Sequence, residues 1–554
     1  SVDDCVAIGK HALYGVSANT TGNENVAIGS YSLDAATTAT ENIAIGTYAG
    51  SAINTGNYNV LIGKNSGDAI TTSDRNTAVG RSSLSTTVDG ANNSAFGYAA
   101  LANADCGDDN TAIGQGALLV ATGSANTAVG SAAADAVTTG TGIVAVGYAA
   151  LSVSDDGNYN TAIGNLAMAD GQAADDNTAV GYEALKTCTN SDNVAVGSRA
   201  MEYGTTQDDC VAIGRSAMQG DGTTAPTGNA NIAIGSYTLD AITDNEQNIA
   251  IGYGAASALN SGEDYNIAIG TNALSVENSG SDGCIAIGHN ALQDQNIASA
   301  NNTAIGYGAA QELTSGTDNT VLGYFAAANG VVTGDFNTLV GTRAGFDLSS
   351  GGYNVILGGY AGQNFTSNVS NVAIGYAALN AANGGENQNI AIGEFTLAGL
   401  DQSTGDACVA VGYNALRNLN IASPKNVAIG NEAGFSSMET DNTFVGTQAG
   451  KNVAHGFANT MIGSEAAEGV SFDNNTCDLN GTTTVTCDSN TDIKVGQTVT
   501  SGHLNSGTYV TAVNDSTAVT SFTLNQAAAS TVTNATLTFA MGTGDSNTVI
   551  GKKA

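Results

Sequence analysis

Residues 160–168, Asn-Thr-Ala-Ile-Gly-Asn-Leu-Ala-Met, and residues 177–185, Asn-Thr-Ala-Val-Gly-Tyr-Glu-Ala-Leu, decide the fold, because they are one phrase written twice, 17 residues apart. The phrase is Asn, a β-branched residue, Ala, Ile or Val, then Gly. Read outward it recurs as 25–29, 42–46 and 59–63 in one direction and as 194–197 and 211–214 in the other. In all there are 28 copies, whose glycines run from Gly9 to Gly463 at spacings of 16 to 21, most often 17, with a last copy ending at Gly551 after a gap of 88. A period of 17 is too short for a helix pair or a propeller blade and suits one coil of a β-solenoid. The sequence therefore predicts an all-β parallel solenoid of about 28 coils, with residues 1–468 as repeat, 469–545 as a small inserted all-β domain and 546–554 as the final coil. At about 4.8 Å per coil, 27 consecutive copies would extend on the order of 130 Å.

Side chains of a strand alternate between two faces. The residue before Gly is aliphatic in 27 of 28 copies and the residue three before it is Val, Ile or Thr in 27, so those two share one face. The other face carries Asn four before Gly in 23 copies and Ala two before it in 21. Stacked Asn amides are expected to hydrogen-bond from coil to coil. A nearly constant Ala column reads as the place where a second chain approaches closely, or else as filling in a narrow corner of its own chain. After Gly, a small residue and then Leu, Met, Ala or Gly, as in Ala184-Leu185, should close a thin core.

Composition narrows the functions. With 72 Gly, 2 Pro, no Trp and 42% hydrophobic residues, the chain is neither collagen nor intrinsically disordered. A formal net charge of −36 with only 14 Lys and Arg excludes nucleic-acid backbones and anionic lipid as partners. No apolar run approaches a membrane helix, and Ser1-Val2-Asp3-Asp4-Cys5 does not read as a signal peptide.

The search for chemistry returns no cofactor, no metal centre and no catalytic set. His11, His289, His455 and His503 are too dispersed for a triad or metal motif. Acidic corners such as Asp108-Asp109, Asp155-Asp156 and Asp175-Asp176 offer oxygen ligands for Ca²⁺, but they also read as solvated turns. Tyr98, Tyr148, Tyr253, Tyr307, Tyr376 and Tyr413, each following a repeat Gly, could stack sugars or pack corners. Cys5, Cys210, Cys284 and Cys408 stand in the Asn column, and Cys106 and Cys188 in loops. Only Cys477 and Cys487, flanking Asn480-Gly481, are placed for a local disulfide.

Asn-Val-Ala-Ile-Gly followed by x-x-Ala/Ser-Leu resembles the head repeat of trimeric autotransporter adhesins. It resembles still more the Asn-Thr-Ala-Ile-Gly-Tyr-x-Ala-Leu arrays of bacteriophage tail fibres, matched at 160–164 and 177–185. The resemblance covers residues 1 to about 468 and the last copy; its repeat is 17 residues where the adhesin repeat is usually about 14. It implies a left-handed β-roll, a homotrimer and a structural or adhesive fibre on a virion or cell surface. The implied partners are the chain's own copies, other fibre or virion proteins and a host receptor such as a glycan. The missing heptad stalk and membrane barrel favour a viral fibre over a bacterial adhesin. A glycan-degrading tailspike is the enzymatic alternative, and it would need paired carboxylates in a groove. The run at 493–499 is similar, more loosely, to small β-modules of phage virion proteins.

Overall fold

The computed structural model describes residues 4–551 except 16–21, 104, 154–155, 172–173, 221, 223–225, 260–261, 277–281, 296–300, 403–405, 423, 454–456, 467–471, 481–483, 491–497, 501–503, 505–509, 514–518, 526–530 and 541–547. Among these the chain is all-β, without a helix. Each repeat phrase makes one three-residue strand, the first at Val6–Ile8 and the twenty-seventh at Thr460–Ile462. The described residues fall into two compact units, one up to residue 286 and the other from residue 287 onward. In the first, strands from Val6–Ile8 to Ile267–Ile269 pair in parallel with their successors, phrase against phrase without slip. In the second, the same ladder runs from Thr303–Ile305 to Thr460–Ile462 and passes directly to Thr548–Ile550. This is a parallel β-solenoid in which register is fixed by identical sequence on neighbouring coils.

The two faces of the strand have the reverse of the expected partners. The Ala column points into its own coil: Ala27, Ala44, Ala162, Ala179 and Ala195 are all fully buried. Placement of that column at a contact with a second chain is therefore corrected. The reason is volume. The coil is so narrow that Leu four after Gly, fully buried at Leu33, Leu185 and Leu274, comes from the opposite wall to meet the Ala methyl. The aliphatic residues at one and three before Gly are displaced outward, Ile113 to 41% exposure and Ile429 to 43%.

Where the inner residue of the strand is large, the opposite wall shrinks. Leu61 faces Gly67, Leu339 faces Gly345, Ile356 faces Gly362 and Phe444 faces Gly450. A Cβ on Gly67 would lie 2.7 Å from Leu61 Cδ2 and one on Gly362 3.0 Å from Ile356 Cδ1. In these four coils a large inner residue is matched by Gly opposite; where Gly stands opposite Ala, as at Gly50 and Gly434, the large residue of the next coil takes the space, a built Cβ lying 2.8 Å from Leu61 Cδ1 and 2.6 Å from Phe444 Cδ2, so the core is filled across neighbouring coils as close packing demands.

Polar groups inside are satisfied by ladders. The Asn42 main-chain N–H donates to Asn25 Oδ1 at 3.0 Å and Asn59 N–H to Asn42 Oδ1 at 3.0 Å, while Asn42 Nδ2 donates to the Gly56 carbonyl at 2.9 Å. One buried amide thereby serves a donor and an acceptor at a corner that no strand reaches, where orphaned groups would cost about 1–3 kcal/mol each. A second ladder on the outer corner runs the other way: Asn57 N–H donates to Asp74 Oδ1 at 2.7 Å and Asn158 N–H to Asp175 Oδ1 at 2.6 Å. Corner residues such as Tyr31 and Leu33 take left-handed φ of 60° and 47°. Their N–H groups donate to Lys10 and Ala49 carbonyls on neighbouring coils, which offsets a conformation costing about 1–2 kcal/mol.

Between the last two repeat strands lies a six-stranded antiparallel sheet, ordered 498–500, 531–540, 472–480, 484–490, 519–524, 510–513. Five of its strands begin at Thr or Val and are rich in Thr, as a strand sequence commonly is. Strand Phe472–Asn480 is not legible in the sequence, because Asp, Asn and Cys fill positions where a strand usually shows aliphatics.

Candidate functional site

The largest surface feature built by the repeat is its outer sheet face. In each unit, residues one and three before Gly form two adjacent columns of Val, Ile, Thr and Leu, with Ser94 and Phe96 the exceptions in one coil. No copy places a charged residue at either position, in a chain with 64 Asp, Glu, Lys and Arg in all. A solvated β-face would alternate polar side chains with charge. Two partly exposed side chains per coil, of which the one three before Gly is Thr or Ser in 12 of the 28 copies, leave on the order of 50–100 Å² of apolar surface, so roughly ten coils reach the ~800 Å² that each partner gives to a standard interface.

The face has two borders. Five residues before Gly stands a left-handed residue, Asp192 at φ 61° or Tyr353 at φ 60°, and one or two residues after Gly stand Arg, Lys or Tyr. On the second border the rings interact. Tyr31 stacks between His11 and Tyr48 at 5.1 Å from each, Tyr307 meets His289 at 4.9 Å, and Tyr324 meets Phe325 at 4.6 Å. Tyr98, Tyr148, Tyr253, Tyr307, Tyr376 and Tyr413 all stand out from the surface instead of filling corners, Tyr148 at 59% exposure. Guanidinium groups lie over several rings, Arg81 over Tyr98 at 5.9 Å and Arg215 over Tyr237 at 5.5 Å.

The acidic corners are already engaged by the coil. Asp108 Oδ1 accepts the Ala91 N–H at 2.8 Å, Asp175 Oδ1 accepts that of Asn158, and Asp156 Oδ1 accepts the Thr138 and Thr139 hydroxyls at 2.9 and 2.6 Å. Hydrogen bonds from those hydroxyls hold the Asp156 carboxyl below its usual value. Asp155, His455 and His503 lie outside the described residues, and among the described ones no three His, Cys, Asp or Glu gather to hold a metal. A charged cluster that the sequence reading missed joins Glu183, Lys186, Arg199 and Glu202. Arg199 Nε lies 3.2 Å from Glu183 Oε2 and 3.7 Å from Glu202 Oε2, and Lys186 Nζ 3.3 Å from Glu183 Oε1. Burial pushes Glu183 upward, but Lys186, Tyr182 and Arg199 outweigh it and hold the carboxyl low. The Glu183 carboxylate is tied down by cations, the opposite of what a general acid needs.

The cysteines of the Asn column substitute for Asn. Cys210 N–H donates to Asn193 Oδ1 at 3.0 Å, and Cys210 Sγ receives the Asn231 N–H at 3.5 Å. Burial pushes the thiols of Cys106, Cys188 and Cys210 up to about 11 and that of Cys408 to about 12, which leaves them unreactive. In the antiparallel sheet, strands 472–480 and 484–490 pair Asp478 with Thr486 and Leu479 with Val485, and Cys477 and Cys487 are the next residues on the two strands. Their side chains lie outside the described residues. Directly opposed positions on antiparallel strands have Cα separations of about 4.5–5.5 Å, inside the disulfide range. Of the 8 cysteines, the six whose side chains are described form no disulfide. Unfolded, unreduced protein is therefore expected to titrate six thiols and eight after reduction; eight from the start would remove the pairing.

Among the described residues no helix is long and apolar enough to cross a membrane. No protein-family model, curated protein or solved structure matches the chain. The class that fold and surface define is a parallel β-solenoid repeat protein.

Proposed function

We propose that the chain is a structural fibre subunit that associates with copies of itself through the aliphatic sheet face and serves at a virion or cell surface as spacer and attachment element. The observation that carries the reading is the uncharged double column of partly exposed residues, mostly Val, Ile and Thr, in a chain of net charge −36. Such a strip is costly to leave in water, and its coil-by-coil period is matched by another copy of the same repeat. Homotrimer formation and a host receptor such as a glycan follow from the likeness to phage tail fibres and adhesin heads. A bacterial surface adhesin is the second reading, and both place the chain outside the cell. The exposed Tyr border supplies surface on which sugar rings could stack.

Light scattering of the purified chain is the first test, with a multi-chain species expected at micromolar concentration. Ile213→Lys with Ile234→Lys, on outer positions of adjacent coils, should weaken that species at least tenfold while the coil stays folded by circular dichroism. A monomeric wild type would end the reading. Immunogold labelling of intact particles or cells with an antibody to the chain then tests the location, and label confined to the interior would overturn it.

A further inference from the structure

Two Asn-Gly dipeptides of the repeat, Asn329-Gly330 and Asn383-Gly384, lie among the described residues. In both of them the glycine N–H donates to a Glu carboxylate, Gly384 N to Glu386 Oε2 at 2.9 Å and Gly330 N to Glu312 Oε2 at 3.1 Å. We propose that Asn383-Gly384 is a self-modification site, at which Glu386 acts as general base for closure of the Asn383 side chain onto the Gly384 nitrogen, converting Asn383 to aspartate and isoaspartate with water as the only other reactant.

An amide nitrogen attacks a side-chain carbonyl only as it loses its proton, and before Gly it is least shielded, because no Cβ stands beside it. What an ordinary loop lacks is an acceptor aimed at that proton, which has to lie within about 2.6–3.2 Å of the nitrogen. Glu386 meets the condition and is held in place. It is fully buried, its Oε2 also accepts the Asn368 amide at 2.8 Å, and its Oε1 has no hydrogen-bond partner among the described residues. Gly384 and Gly385, at φ 148° and 87°, put no side chain in the way of the approach.

The two dipeptides differ at the other reactant. Asn329 Nδ2 donates to Asp347 Oδ1, which anchors that side chain. The Asn383 side chain is exposed and makes no hydrogen bond among the described residues, so its carbonyl carbon is free to turn toward the Gly384 nitrogen. In the step, that nitrogen gives its proton to Glu386 and bonds to Asn383 Cγ. The Cγ–Nδ2 bond breaks, and the amide nitrogen leaves as ammonia with the proton returned by Glu386. Water then opens the five-membered imide at one carbonyl or the other, giving aspartate or isoaspartate, and nothing is oxidised or reduced. The product carries a new negative charge and, as isoaspartate, one more main-chain carbon. It stands beside the Thr366 and Ser367 hydroxyls, which lie 2.9 and 3.1 Å from a Cβ built on Gly384.

The test keeps the purified full chain at neutral pH, once folded and once unfolded in denaturant, and follows each dipeptide by peptide mass mapping with enzymatic methylation of isoaspartate. Folded chain is expected to convert Asn383 roughly tenfold or more faster than unfolded chain, the low end of what a positioned base contributes. Asn329 should convert no faster folded than unfolded. A folded-state rate at Asn383 equal to or below the unfolded one would overturn the proposal. Equal acceleration at Asn329 would overturn the part given to side-chain freedom. Glu386→Gln separates the base from the loop's shape, because Gln is native at the equivalent position seven before Gly, as fully buried Gln207. That variant keeps an oxygen to accept the N–H and loses the basic carboxylate, so with the coil folded by circular dichroism its rate should fall to the unfolded value. An unchanged rate would overturn the role of Glu386.

Discussion

Gly341→Ala is expected to unfold its coil locally, at a cost of about 3–5 kcal/mol, whereas Gly116→Ala should cost about 1 kcal/mol. Gly341 ends a repeat phrase with φ 140°, and a Cβ there would sit 2.5 Å from the Gly358 carbonyl oxygen of the next coil. That oxygen belongs to a stacked backbone, and Gly358 N–H donates to the Val340 carbonyl at 2.8 Å, so relief requires spreading the ladder. Gly116, two residues after a repeat Gly, has φ 65° and nothing within 4 Å of a built Cβ. Its equivalents on neighbouring coils are Ala99 and Ala132, at φ 56° and 54°. Hydrogen exchange should therefore show fast amides confined to coils around residue 341 in the first variant and little change in the second. Equal effects would mean that the repeat Gly is there for flexibility of the unfolded chain rather than for close approach of coils.

That contrast shows which part of the molecule the sequence made legible. The period, the strand position, the pairing of phrase on phrase and the grouping of side chains into two faces follow from spacing alone, because a parallel ladder of identical coils leaves no freedom of register. Which face turns inward did not follow. The usual expectation puts Val and Ile inside and lets the small residue meet a neighbour; here the coil is too narrow for Ile163 to face Met168, and Ala162 faces it instead. A signal was present in the reciprocal sizes of Leu61 with Gly67 and Ile356 with Gly362, since residues that trade volume must share one core. Reading the Asn column as a hydrogen-bonded stack succeeded because a side-chain amide carries both a donor and an acceptor at the spacing of a coil.

Phe444→Ala is expected to destabilise its coil by about 3–5 kcal/mol, as truncation of a fully buried aromatic does, and Gly450→Leu added to it should recover about 2–3 kcal/mol. Phe444 is fully buried, where most coils have Ala, and its ring occupies the space that Leu takes elsewhere. A Cβ on the neighbouring Gly434 would lie 2.6 Å from Phe444 Cδ2 and 2.8 Å from Leu416 Cδ2, so the ring also spreads into the adjacent coil. Ala at 444 opens a cavity that this backbone, hydrogen-bonded from coil to coil, cannot collapse around. Leu at 450 rebuilds the usual Ala–Leu pair, and the position accepts it: Gly450 has φ 61°, and its equivalents Leu397 and Leu416 hold φ 51° and 49° with their side chains buried. In wild-type protein the same Gly450→Leu change collides with the Phe444 ring and should destabilise, so the double-mutant cycle must show strong favourable coupling. Additive losses in the double variant would mean that the two residues do not share one volume, and the account of the inner face as a closed, volume-conserving core would fall with them.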